Sequence, residues 1–208
     1  PSPIKNFGRR VLRRQKHVRK SKIPFWGVDY SLTSPAITKV VEDTWHSYCM
    51  GKEESNDHVT VSKYPDFFSQ TYRRRRLADW AISVLTFDRG LVMLESYAFG
   101  ARGDAVTKIA ENGGVLKHEM LNYGIPFETV PPTTIKKYAT GKGNAKKLDM
   151  YDAFVERTGV EVDHFKAWSD IVDSFFIAMY FRDRSEGLST STLVTRRDHP
   201  SKDEAVLN

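Results

Sequence analysis

The spacing of apolar residues changes along the chain, and the changes divide it into elements. Phe25-Trp26-Gly27-Val28-Asp29-Tyr30 is aromatic and β-branched, which predicts a strand. Ser31-Leu32-Thr33-Ser34-Pro35 is a turn signal. Short strand patterns follow at Ala36–Val41, Thr44–Met50 and His58–Ser62, and their close spacing predicts antiparallel hairpins. From Phe67 to Leu85 the apolar positions Phe68, Tyr72, Leu77, Trp80, Ala81, Val84 and Leu85 take a helical period. Leu91-Val92-Met93-Leu94 is a continuous apolar run, the pattern of a strand covered on both faces.

Further helices are predicted over Ala105–Tyr123, closed by Gly124, over Lys146–Arg157 and over Trp168–Arg182. A strand is predicted between Pro126 and Pro131. The order is an initial set of antiparallel strands, then alternating helices and strands. That order is an α/β layer whose later strands run parallel. Residues 1–24 and 185–208 show no apolar period. They read as a basic N-terminal arm and a polar C-terminal tail around a domain over 25–184.

Charge sharpens this division. The chain has 208 residues, 32 Lys and Arg against 26 Asp and Glu, and a net charge of +6. Nine of the basic residues lie in 1–24, where there is no acid, so the rest holds 23 against 26. A basic arm on a slightly acidic body points to nucleic acid or another polyanion, and a targeting peptide is the competing reading. The expected location is cytoplasmic, with organellar targeting by the arm as the alternative.

Other classes are disfavoured. A content of 40% hydrophobic and 12% aromatic residues argues against general disorder. No stretch approaches the roughly 18 apolar residues of a membrane span, and the basic N-terminus lacks the apolar core of a secretory signal. The single cysteine, Cys49, permits no internal disulfide and suits a reducing compartment. The six histidines lack zinc-ligand spacing, and neither a Gly-x-Ser-x-Gly elbow nor a Gly-Lys-Ser/Thr phosphate loop occurs. No small-molecule cofactor is expected.

Four carboxylates sit in unusual settings. Asp29 lies inside a strand, where aspartate is depleted. Glu95 ends the Leu91–Leu94 run, where a charge beside a core strand is costly unless paired. Asp170 and Asp173 lie three apart at the start of an apolar helix, so they share a face. Each alone has an ordinary explanation as a turn former, a strand end or a first-turn helix residue. Together, three separate segments present carboxylates at element ends. Such clusters suit hard divalent ions, and paired ions hydrolyse phosphodiesters.

Basic and aromatic residues flank these positions. Gly141 and Gly143 leave room for backbone N–H groups to approach phosphate, and Lys142, Lys146 and Lys147 add charge. A solvated lysine-rich loop is the plain alternative. Tyr97 and Phe99 are candidates for stacking on an unpaired base or for core packing. Arg73-Arg74-Arg75-Arg76 covers every side of a helix, so it reads as a solvated face with some stems packed on the core rather than as a dedicated DNA contact.

At these residues the chain resembles RuvC-like Holliday junction resolvases, particularly their bacteriophage branch. The resemblance runs through Gly27-Val28-Asp29-Tyr30-Ser31-Leu32-Thr33-Ser34-Pro35-Ala36 and Leu94-Glu95-Ser96-Tyr97-Ala98-Phe99-Gly100. It continues in Pro131-Pro132-Thr133-Thr134-Ile135-Lys136-Lys137, Thr140-Gly141-Lys142-Gly143-Asn144-Ala145-Lys146-Lys147 and Ser169-Asp170-Ile171-Val172-Asp173. It implies an RNase H-like fold: a mixed five-stranded sheet in the order 3-2-1-4-5 with helices on both faces. It implies that Asp29, Glu95, Asp170 and Asp173 are catalytic and hold Mg²⁺ or Mn²⁺, two ions per site. Asp29 and Asp173 would bear most directly on the ions. Lys136 and Lys147 match the family's phosphate-contacting lysines, and Lys137 lies beside them. The implied partners are branched DNA and a second copy of the chain, with no membrane.

Overall fold

The computed structural model describes residues 22–97 and 104–188. Most of the basic arm and all but the first four residues of the polar tail lie outside the described residues, as does Phe99. The elements run β1 (Phe25–Asp29), β2 (Ala36–Val41), β3 (Thr44–Gly51), β4 (Val59–Lys63), α1 (Gln70–Leu85) and β5 (Leu91–Glu95). They continue with α2 (Asp104–Asn122), β6 (Phe127–Val130), α3 (Pro132–Thr140), α4 (Lys147–Thr158) and α5 (Trp168–Ser185).

One mixed sheet has the order β4-β3-β2-β1-β5-β6. The expected 3-2-1-4-5 arrangement is present within it as β3-β2-β1-β5-β6. The sixth strand, β4, is added at the edge and corrects the expected count of five. It also corrects the hairpin expectation. β1, β2 and β3 are antiparallel neighbours, whereas β4 pairs parallel to β3, with Ser47 opposite Val59 and Gly51 opposite Lys63. The segment between Gly51 and Val59 is long enough to carry the chain back along β3 without a helix. Val59 is then fully buried, which gives the edge strand its hold on the core.

The alternation in β1 sends its side chains to two cores. Trp26 and Val28 join Val92 and Leu94 of β5 beneath α1 and α2. Phe25 and Met93 join the other core, covered by α3, α4 and α5. Helix α5 is buried on nearly every side because α3 and α4 lie over its outer face, so its apolar residues need no single stripe.

Helix boundaries follow local chemistry. α1 starts at Gln70, later than the expected Phe67, because Ser69 caps it by accepting the Tyr72 N–H at 3.2 Å. α3 includes Thr133 and Thr134 of the Pro131–Lys137 motif. Pro132 stands in its first turn, where a missing N–H costs nothing. Gly141 ends α3 at φ +81°. α5 extends to Ser185, past the expected Arg182 and one residue past the domain boundary expected at 184. Its buried Asp183 accepts from Tyr138 Oη at 2.6 Å and from Arg182 Nη2 at 2.7 Å, so this acid is structural.

Candidate functional site

Three elements carry the four carboxylates to one end of the sheet. Asp29 and Glu95 are the last residues of β1 and β5, which are adjacent and parallel. Asp170 and Asp173 lie on the opening turns of α5, which crosses β1. The crossing is close because position 27 is glycine. A Cβ there would stand 2.1 Å from the Ser174 carbonyl oxygen and 2.4 Å from the Ala178 nitrogen. Thr38 Oγ1 of β2 lies 2.7 Å from both Ser174 Oγ and Ser47 Oγ, and these buried hydroxyls bind α5 to the sheet.

The four groups sense one another. Burial pushes Asp29 well above the usual carboxylate range, and the charges of Asp170, Glu95 and Asp173 push it further. Glu95 is raised to about 7, first by burial and then by Asp173, against the opposing charge of Lys136. Asp173 is raised to about 6 by burial and Asp170, again opposed by Lys136 and Lys147. Asp170 is raised by burial. Hydroxyl bonds from Ser34 and Ser31 and a bond from Asp29 act the other way.

The donor set is oxygen alone, which fits a hard divalent cation better than zinc. The side chains are adjacent without being focused: among the described residues no three acidic, histidine or cysteine side chains form a metal-ligand group. Asp170 is the most closely held of the four, with two hydroxyls on its Oδ2. Ser31 Oγ donates at 3.2 Å, Ser34 Oγ donates more closely, and Ser31 Oγ accepts the Ser34 N–H at 3.0 Å.

The candidate DNA-binding residues divide. Lys136 on α3 and Lys147 at the start of α4 lie close enough to lower the carboxylates, and Lys147 Nζ reaches Ser169 Oγ at 3.3 Å. Lys137, Lys142 and Lys146 are exposed along α3, the following loop and the start of α4. Tyr97 lies on α2. Its Oη donates to the Ala110 carbonyl at 3.1 Å, Gly113 makes room for it, and Lys117 Nζ sits 4.9 Å from its ring centre. Three of the four consecutive arginines are engaged internally: Arg73 with Tyr64 and Leu32, Arg74 with Glu111, and Arg75 with Asp79. The contacts of Ser31 and Ser34 with Asp170 are parts of the site that the sequence does not reveal. The only signal is the polarity of the turn after Asp29.

The raised carboxylates have a thermodynamic consequence. Glu95 and Asp173 bind protons more tightly folded than unfolded, so their contribution to stability is fully present below the unfolded values of about 4. It is lost as pH rises through about 6 to 7. In a chelator, the unfolding temperature should therefore fall between pH 5.5 and 8. A flat or rising profile by differential scanning fluorimetry would contradict the electrostatics described here.

No known family model matches the chain, and no curated protein sequence is similar to it. Solved structures are. The chain is similar to the Thermus thermophilus RuvC structure at 18% identity, with a TM-score of 0.56, over 79% of this chain and 97% of that one. It is similar to T. thermophilus RuvC in complex with Holliday junction substrate at 16% identity and a TM-score of 0.59, over 79% of this chain and 96% of that one. At these identities the likeness is one of fold, and the fold is RuvC-like, of the RNase H type.

Proposed function

We propose that the chain is a metal-dependent endonuclease that cuts four-way or otherwise branched DNA, and that it belongs with the bacteriophage branch of RuvC-like resolvases. The observation that carries this reading is the gathering of Asp29, Glu95, Asp170 and Asp173 at one end of the sheet beside Lys136 and Lys147. The fold supports it, because one structure of similar fold is bound to a Holliday junction. Two Mg²⁺ or Mn²⁺ ions held there would activate water and stabilise the departing oxygen. The carboxylates' part is to give up their protons and supply oxygen ligands from three rigid elements. The lysines hold the backbone phosphate against the carboxylate cluster, a contact that positions without reading sequence. A homodimer is proposed because a two-fold protein suits two-fold DNA. None of the described helices is long and apolar enough to cross a membrane.

The unfocused carboxylates favour one competing reading, a branched-DNA binding module that does not cut. Incubating the chain and Mg²⁺ with a mobile synthetic four-way junction decides, with product ends mapped. Paired symmetric cuts are expected. Tight binding without cleavage would support the binding module. Equal cutting of flaps, forks or RNA–DNA hybrids would make it a nuclease of broader range.

Lys136→Ala should weaken junction binding about tenfold and lower the salt dependence by about one phosphate contact. A filter-binding or anisotropy titration at several salt concentrations checks this. Unchanged affinity and slope would remove Lys136 from the interface.

A further inference from the structure

Asp170 is held by a turn that is itself held from α1. Ser31 and Ser34 both donate to its Oδ2, across 139 and 136 residues of sequence. Two donors on one oxygen restrain where that oxygen sits more tightly than a single bond would. The turn between β1 and β2 that presents these hydroxyls has little regular structure of its own. Its Leu32 carbonyl accepts from Arg73 Nη2 at 2.5 Å and from Tyr64 Oη. Arg73 Nε also donates to Tyr64 Oη at 2.6 Å. The guanidinium lies over the rings of Tyr64 and Phe67, at 5.4 and 4.9 Å from their centres. Its neighbours in the arginine run instead pair with carboxylates. Arg73 is thus spent on a neutral backbone oxygen and a phenol, an arrangement whose visible result is a fixed turn.

We propose that Arg73 is a positioning residue for the candidate metal site, acting on Asp170 through Leu32 and the hydroxyls of Ser31 and Ser34. This rests on the metal-site reading above. The role demands arginine. A planar fork can bond the carbonyl and the phenol at once while stacking, whereas a lysine ammonium would keep the charge and lose the geometry. Supports of metal ligands typically change affinity by ten- to a hundredfold when removed. Arg73 stands one step further out, so the lower end of that range is expected.

The test is the affinity for Mn²⁺ alone, by isothermal titration calorimetry on the full chain, with the unfolding temperature in chelator as a fold check. Arg73→Gln and Ser34→Ala should each weaken Mn²⁺ binding about tenfold, and Arg73→Lys should not restore it. The double variant should be no weaker than the worse single one, because both act on one chain of contacts. Ser34→Ala alters only one hydroxyl of a partly exposed turn, so it carries the test if Arg73→Gln fails to fold. Wild-type Mn²⁺ affinity in Ser34→Ala or in a folded Arg73→Gln would overturn the proposal. Weaker junction binding with unchanged Mn²⁺ affinity would overturn it too and make Arg73 a DNA contact. A wild-type chain that binds no Mn²⁺ would overturn the metal-site reading and this proposal with it.

Discussion

Replacing Asp29 by Asn should abolish Mg²⁺-dependent cleavage of a four-way junction while leaving junction binding intact. Asp29 is raised first by burial and then by all three other carboxylates. Asparagine keeps the shape of the side chain and removes one anionic ligand. The expected loss of rate is at least about a thousandfold, equivalent to about 4 kcal/mol of transition-state stabilisation. The same change should stabilise the chain in chelator, because burial and then the neighbouring carboxylates disfavour a charge at this position, and asparagine never carries one. A rise of about 3–5 °C in unfolding temperature corresponds to roughly 1–2 kcal/mol for a chain of this size. The two effects together exclude misfolding as the cause of lost activity. Wild-type cleavage by Asp29→Asn would remove Asp29 from the reaction. Lost cleavage with a lowered unfolding temperature would leave only a structural role.

The two halves of this result differ in how far they could be read from the chain. Asp29 stands out in one dimension, because an acid inside an aromatic and β-branched run has no local reason to be there. The same holds for Glu95 after Leu91–Leu94. The strands and long helices are legible for a related reason: burial leaves apolar runs or periods in the chain, continuous in β5 and α5 and helically spaced in α1. β4 is legible as a strand but its direction is not. A connection of a few residues normally makes a hairpin, and only the pairing of Ser47 with Val59 shows otherwise.

What the chain conceals is contact between distant polar groups. Ser31 and Ser34 read as turn residues, which they are, and nothing local shows that their hydroxyls meet Asp170. Arg73 is indistinguishable from Arg74, Arg75 and Arg76 by composition, and helical geometry alone sends it toward Leu32 while its neighbours meet Glu111 and Asp79. Asp183 is the converse case. An acid near the end of a helix looks solvated, yet Tyr138 and Arg182 enclose it. Tyr97 reads equally as a stacking platform or a packed ring, and Gly113 is what lets it lie on α2.

Gly27→Ala should be the most damaging glycine-to-alanine change among the described residues. Glycine inside a strand normally weakens it, so its presence in the central β1 needs a compensating gain. That gain is the close approach of α5. The added Cβ would meet the Ser174 carbonyl oxygen at 2.1 Å and the Ala178 nitrogen at 2.4 Å, both helix backbone atoms. A flexible side chain could move aside, but here the helix itself must shift. Overpacking of this kind costs about 1–3 kcal/mol and more where the obstacle is backbone. An unfolding temperature lower by about 6–12 °C is expected, corresponding to roughly 3 kcal/mol. Function should suffer beyond stability. β1 carries Asp29 and α5 carries Asp170 and Asp173, so the distance that Gly27 permits is also the distance between candidate ligands. At a temperature where Gly27→Ala remains folded, Mn²⁺ binding and junction cleavage should both be reduced at least tenfold. A variant that unfolds early but binds Mn²⁺ normally once folded would show that the crossing of β1 and α5 sets stability alone. One with wild-type unfolding would show that the crossing is looser than these contacts require.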